Sequence, residues 1–424
     1  MRFVLCLCLC ILMLHAVVHG DHHKDHDDDD HHHHHHHHHH KDSEKHDHKN
    51  VTCHKIAPSN ADFAFDFYHQ VTSPGASTNV FFSPLSISTS LAMLSLGAQT
   101  ETLNQIIEGL RLNHTDLPKE EIPRAFQHLI HMLNKPDSKL QVNTGNAVFI
   151  QKDFKVLDKF SGDMKHYYEA TSFATDFKNT SEAVKQVNDY VEEKTHGKIV
   201  DFLTTIDEET LMLLLNCIYF RGEWEKPFSV NDTKIGDFHV DENTVVQVPM
   251  MFRSGMYYKA HDEELGCTIV RLPYKGDASA FVILPDEGKL KQVEDALSRS
   301  TMKKWMSKLR YGSANLYLPK FNMSSTIDLK QPLTKLGMPD IFSDAADLSG
   351  ITGKRELKVS KATHKAMVSV DERGTEAAAV TAIEAMPMSV PPIINCDRPF
   401  LFLIFSHETK TILFLGKVAE PTAE

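Results

Sequence analysis

Cysteine is scarce in this sequence and poorly spaced for cross-linking. Of seven, Cys6, Cys8 and Cys10 fall within the first 20 residues, and Cys53, Cys217, Cys267 and Cys396 stand far apart, in no metal-binding spacing. A disulfide scaffold is therefore not expected. Catalytic signatures are missing as well: no G-x-S-x-G elbow, H-E-x-x-H, G-x-x-x-x-G-K or G-x-G-x-x-G occurs. The chain is not read as an enzyme, and no cofactor is expected. Positive charge is in deficit, with 45 Lys and Arg against 57 Asp and Glu and a net charge of −12. Nucleic acid, which needs clustered Lys and Arg, is excluded as a partner. After residue 20 no stretch of about twenty apolar residues occurs, so no membrane partner is expected.

What is present begins with Met1 to Gly20, where Arg2 precedes an apolar run through Leu14 and Val18-His19-Gly20 offers a cleavage site. Residues 1–20 read as a secretory signal peptide. Residues 21–49 are almost entirely His, Asp and Lys, with Asp27 to Asp30 followed by His31 to His40. Such a segment cannot bury apolar surface and is expected to be disordered. His31, His32, His33, His34 and His35 are candidate ligands for Zn²⁺ or Cu²⁺; the bland reading is an acidic, solvated spacer or an appended tag. Residues 50–424 carry no linker or repeat and read as a single domain. Sequons at Asn50, Asn113, Asn179, Asn231 and Asn322 agree with secretion.

Helices come first in that domain. Ser59 is expected to cap one carrying Phe63, Phe67, Tyr68 and Val71. Ser83-Pro84 opens another over Leu85 to Leu96, apolar nearly all round and therefore central. Ser181 opens a third, with Val184, Val187, Tyr190 and Val191 on one stripe. Strands dominate later. Leu211 to Phe220 suits a strand covered on both faces, Cys267 to Pro273 and Ala278 to Pro285 form a hairpin, and Phe400 to Phe405 precedes Thr411 to Val418 across a turn. This order gives an α+β architecture around a large sheet. His128 and His131 could share a metal, but a surface pair is the better reading. His364, near Ser369 and Asp371, is read as a buried hydrogen-bonding residue rather than part of a triad.

The segment after the strand candidate Ala366 to Asp371 behaves differently. Thr375, Ala377, Ala379, Thr381, Ile383 and Ala385 are uncharged and mostly small, whereas Glu376 and Glu384 fall in the opposite register. A period of two with one neutral face describes a segment able to become a half-buried strand. Pro387, Pro391 and Pro392 forbid a central strand beyond it, since each removes a ladder donor. Such a chain could exist in two states.

These residues, together with Phe82 to Ser86, Asn216 to Trp224, Asp397 to Phe400 and Phe414 to Val418, resemble the serpin family over roughly Asn50 to Glu424. The resemblance implies three β-sheets, eight to nine helices and an exposed reactive-centre loop. It implies a reactive bond at Met388-Ser389 and a hinge at Glu372, Gly374, Thr375, Ala377, Ala378 and Ala379. It places Ser83, Ser86, Asn216 and His364 beneath the opening of the main sheet, and Trp224 and a Lys320–Glu372 pair near the insertion point. The implied function is inhibition of a serine protease by loop insertion after acylation. Met388, unbranched and uncharged, points to elastase-like or chymotrypsin-like targets. Among Thr100 to Asn113 only Arg111 is positive, so heparin activation is not expected, and a monomer is. The alternative class is a non-inhibitory carrier or a metal-binding protein.

Overall fold

The computed structural model describes residues 52–73, 75–135, 139–374 and 389–422. The first half supplies helices α1 (Ala57–Val71), α2 (Pro84–Ser95), α3 (Thr100–Gly109), α4 (Ile122–Leu133), α5 (Asp158–Tyr168) and α6 (Thr180–Lys194). With them come strands β1 (Val80–Phe82), β2 (Gln141–Gln151), β3 (Thr171–Thr175) and β4 (Met212–Arg221). The second half adds β5 (Lys234–His239), β6 (Val245–Asp262), β7 (Cys267–Pro273), β8 (Ala278–Pro285), α7 (Leu290–Asp295), α8 (Arg299–Lys308), β9 (Arg310–Pro319) and β10 (Phe321–Asp328). It ends with α9 (Lys330–Lys335), α10 (Ser349–Thr352), β11 (Lys361–Val370), β12 (Ile393–Asn395), β13 (Phe400–Ser406) and β14 (Thr411–Val418).

Alternating burial explains why β2 and β4 sit mid-sheet. Val148, Ile150, Met212, Leu214 and Ile218 enter the main core, whereas Ala147, Phe149, Leu213, Leu215 and Cys217 face the second cluster, formed with Phe177, Ala183, Val187 and Val191. The apolar run 211–220 is therefore covered on both faces. Helix α2 is buried along nearly its whole length, from Pro84 to Leu94, and lies under the sheet. Ser83 caps it by accepting from the Ser86 N–H, a contribution of about 1 kcal/mol.

Five strands in the order β10-β11-β4-β2-β3 make one sheet. The remaining nine form one network, not two, among the described residues. The long β6 joins them: Met250 to Lys259 pair with β9, Val245 to Met250 with β5, and Tyr258 to Asp262 with β7. This is why backbone pairing shows two networks where the resemblance implied three sheets. The described residues hold ten α-helices against the eight to nine implied, the shortest of them, α10, being a single turn of four residues.

Two helix starts differ from expectation. Helix α1 begins at Ala57, and Ser59 lies inside its first turn, where its hydroxyl donates to the Arg111 carbonyl at 2.8 Å. The cap of α6 is Asn179, which accepts from the Glu182 N–H, and Ser181 lies within the helix. Helix α1 thus starts after Ile56 without a side-chain cap, whereas in α6 the Ser181 hydroxyl donates to the capping Asn179 Oδ1.

Candidate functional site

The centre of the five-stranded sheet is a parallel join. Lys361 to Met367 of β11 pair in register with Leu213 to Tyr219 of β4, while β11 meets β10, and β4 meets β2, antiparallel. Parallel ladders are slightly less stable per residue than antiparallel ones. Any strand that followed β11 through a tight turn and entered this seam would run antiparallel to both neighbours.

A polar network spans the seam from beneath. His364 and Asn216 are register partners across it, and both are fully buried. The Ser83 N–H donates to His364 Nε2 at 3.0 Å, so Nε2 carries no proton, and Nδ1–H donates to Asn216 Oδ1. The Asn216 amide in turn donates to the Ser86 carbonyl at 3.0 Å and to Asn146 Oδ1 at 2.6 Å. Four elements, α2, β2, β4 and β11, are thus tied through one neutral imidazole. Asn146 is a member that sequence reasoning missed; it ends the polar half of β2, Gln141 to Asn146, and nothing local sets it apart from Asn143.

Burial pushes the His364 imidazole down to about 3 from its usual 6.5. The unfolded chain therefore binds a proton that the folded chain refuses. Stability from this site is complete above pH 6.5 and is lost as pH falls from there towards about 3. Acidification from pH 7 to pH 5 is expected to cost on the order of 2 kcal/mol at this site. Denaturant midpoints at the two pH values, in the parent and in His364→Gln, check this: an unchanged pH slope in the variant counts against it.

At the top of the seam β11 runs into a turn closed by an Asp371–Gly374 bridge. Trp224 brackets it, with its backbone N–H on the Arg373 carbonyl at 2.9 Å and its indole N–H on the Asp371 carbonyl at 3.0 Å. The indole also stacks on Tyr274 at 4.4 Å. Gly374 has φ +114° and packs so closely that a Cβ there would lie 2.4 Å from the Gly222 carbonyl oxygen, so only glycine fits. Glu372 is buried, with Lys320 Nζ at 2.9 Å and the Thr233 hydroxyl donating at 2.7 Å. Burial alone would raise its pKa, but the hydrogen bonds from Lys320 and Thr233 outweigh it and hold the carboxyl below its usual range. Thr233, missed from sequence, is also the hydroxyl residue of the Asn231 sequon.

The far anchor lies on the other sheet. Ser389 and Val390 are exposed, the Pro392 carbonyl accepts from the Asn315 N–H at 2.9 Å, and β12 pairs parallel with β9. Residues 375–388 join the two anchors; Thr375, Ala377, Ala378, Ala379 and Met388 lie outside the described residues, as do Asn50 and His31 to His35. The sequon residues Asn113, Asn179, Asn231 and Asn322 are all exposed.

Other candidates do not join this site. His128 Nδ1 accepts from the Cys53 backbone N–H at 3.2 Å, which gives that ring a structural task in place of the metal sharing considered with His131. Among the described residues no group of three or more His, Cys, Asp or Glu is placed to hold a metal ion. The thiols of Cys53, Cys217, Cys267 and Cys396 are buried and unbridged.

Comparison with known proteins gives a consistent result. The family model described as "Serpin (serine protease inhibitor)" matches residues 58–421. Alpha-1-antiproteinase of Callosciurus caniceps is 47% identical over 381 residues, covering 90% of this chain and 92% of that protein. Alpha-1-antitrypsin of Sus scrofa is 48% identical over 384 residues, covering 90% and 91% respectively. Among solved structures, human thyroxine-binding globulin superposes with a TM-score of 0.83 at 44% identity, covering 88% of this chain and all of that one.

Proposed function

The chain belongs to the serpin family, whose members are described as serine protease inhibitors, and from that premise we propose that it is a secreted suicide substrate for an elastase-like or chymotrypsin-like protease. Residues 1–20 direct secretion, and residues 50–424 form the inhibitory domain. The protease serine attacks the Met388 carbonyl. The acyl-enzyme forms as the Met388–Ser389 bond breaks, and Ser389 leaves as a new amino terminus. Before water releases the acyl group, Thr375 to Pro387 moves into the seam between β4 and β11, carrying the protease with it.

One observation carries this reading: a parallel seam capped by a turn that leads directly into a segment with a small, neutral face of period two. Insertion exchanges one parallel ladder for two antiparallel ones, and the small face can be buried without desolvating charge. The exposed sequons support passage through the secretory route. The test is incubation with neutrophil or pancreatic elastase, followed by denaturing electrophoresis and mass spectrometry of the released peptide. A covalent complex and a peptide starting at Ser389 are expected; cleavage without a complex removes the inhibitory reading.

The Lys320–Glu372 pair is proposed to hold the hinge closed until attack. An exposed pair contributes about 1 kcal/mol or less, but here Glu372 is buried. In Lys320→Glu the turn faces two carboxylates in place of a pair. Polymer formed on warming is expected to rise severalfold by native electrophoresis, and equal yields reject this role.

A carrier reading has one observation in its favour. A groove of about 730 Å³ between α1, α8 and β13 has an apolar floor that includes Phe65, Met302, Met306 and Leu403, with Arg271 and Lys303 among its lining cations. Such a lining suits an aromatic carboxylate, and one relative is a thyroxine-binding protein by name. Equilibrium dialysis with thyroxine tests it: saturable binding supports a carrier role, and its absence removes it.

A further inference from the structure

The five-stranded sheet has two edges of different character. One is β3, five residues long and followed directly by Asp176, which pairs with Lys152 at 2.9 Å. The other is β10, eight residues long, whose pairing with β11 is its only ladder among the described residues. An open edge offers unpaired N–H and C=O groups to any other strand, and proteins blunt it with brevity, charge, proline or a covering segment. From Phe321 to Ile327, β10 has neither charge nor proline. The flanking charges are engaged elsewhere: Lys320 pairs with Glu372 at 2.9 Å, and Asp328 accepts from the Lys330 N–H at 3.0 Å. An uncharged, strand-forming window of this kind is the pattern of an association-prone segment.

Within that window stands the sequon Asn322-Met323-Ser324. Sequons belong as a rule to surface loops. Asn113 lies in a short 3₁₀ turn (Leu112–His114), Asn179 caps α6, and Asn231 lies in a second such turn (Val230–Asp232). Asn322 alone of the four described sequon residues lies inside a strand, in register with Ser369 of β11. Phe321 and Met323 are buried, whereas Asn322, Ser324 and Thr326 are exposed. An oligosaccharide on Asn322 Nδ2 would therefore stand on the solvent face of the outermost strand. A further strand would have to lie about 4.8 Å from β10, well within the reach of so bulky and hydrated a group.

We propose that Asn322 carries an N-linked oligosaccharide that guards the β10 edge against antiparallel pairing with β10 of a second copy of the chain. Two identical uncharged edges meet without like-charge repulsion, and a two-fold axis pairs each strand with its own sequence. The sugar comes from a lipid diphosphate-linked donor. The bond from its first carbon to the phosphate oxygen breaks, a bond from that carbon to Nδ2 forms, and the amide proton leaves with the diphosphate. The proposal rests on the secretion reading, since the donor is met on that route, and it is independent of protease trapping.

The test uses the secreted full-length chain, with occupancy of each sequon read by mass spectrometry of its glycopeptide. Ser324→Ala and Ser324→Lys both destroy the sequon, but only lysine puts a charged guard on the exposed face. Self-association is followed by light scattering on concentration, and thermal midpoints verify that each chain is folded. The parent and Ser324→Lys are expected to stay monomeric, and Ser324→Ala to associate severalfold more; Asn322→Gln, a second chain without the sequon, should behave as Ser324→Ala does. Association should persist after the reactive loop is nicked. Equal association of the alanine and lysine variants overturns the proposal, as does association that vanishes on nicking, which would belong to the loop. Sugar at Asn113, Asn179 and Asn231 with Asn322 bare refutes the guard alone, whereas sugar at none of the four refutes the secretion reading with it.

Discussion

Thr375→Arg is expected to turn the inhibitor into a substrate. Thr375 is the first residue after the bracketed turn Asp371–Gly374, so it must enter the seam before any other residue of the loop. Its side chain falls on the small, neutral face. An arginine there would have to be desolvated during insertion without a partner, a cost of several kcal/mol. A rise of about 3 kcal/mol in the insertion barrier slows that step roughly a hundredfold. Deacylation then wins, the loop is cut, and the protease leaves active. Complex yield by denaturing electrophoresis should collapse, while Thr375→Ser should keep it. A Thr375→Arg chain that still traps elastase in full yield would show that the hinge does not act through side-chain burial.

Glu294→Gln is expected to have the largest effect on stability. Lys417 Nζ lies 2.9 Å from Glu294 Oε1, and the two side chains are 1% and 0% exposed. The Tyr68 hydroxyl donates to the same oxygen at 2.8 Å, and the Gly75 N–H to the other at 2.7 Å. The pair ties α1, α7 and β14 together. Glutamine preserves shape but leaves the Lys417 ammonium without a counter-charge, and breaking a buried pair from one side costs about 3–5 kcal/mol. Adding Lys417→Met removes the stranded charge, so the double variant should regain more than half of the loss. Denaturant unfolding of the four chains gives the coupling directly. Equal stability of the single and double variants would show that the ion pair is not what matters at this position.

Much of this was legible because single residues had one physical reading. The hairpin 267–285 followed from two apolar runs around Lys275-Gly276-Asp277, and its strands have the expected bounds. The central place of α2 followed from its lack of a polar face. The helix starts were harder: α1 begins after Ile56 without a side-chain cap while Ser59 donates to the distant Arg111 carbonyl, and Asn179 stood only two positions from Ser181. Sheet count depended on the single continuous β6, whose length local pattern does not fix. The Glu294–Lys417 pair was missed because its partners are 123 positions apart in sequence. A lone lysine in the apolar run Thr411 to Val418 was the available signal. At the site itself, alternation marked the loop, but the parallel sense of the seam that could receive it emerged only from topology.

Bistability of that loop is the claim on which the rest depends. The most direct measurement compares unfolding midpoints of the intact chain and of a chain nicked between Ala385 and Met388 by a protease of another class. Strand insertion adds on the order of ten backbone hydrogen bonds, so the midpoint of the nicked chain should rise by roughly 10 °C or more. A nicked chain that melts at or below the temperature of the intact one would contradict insertion into the seam between β4 and β11.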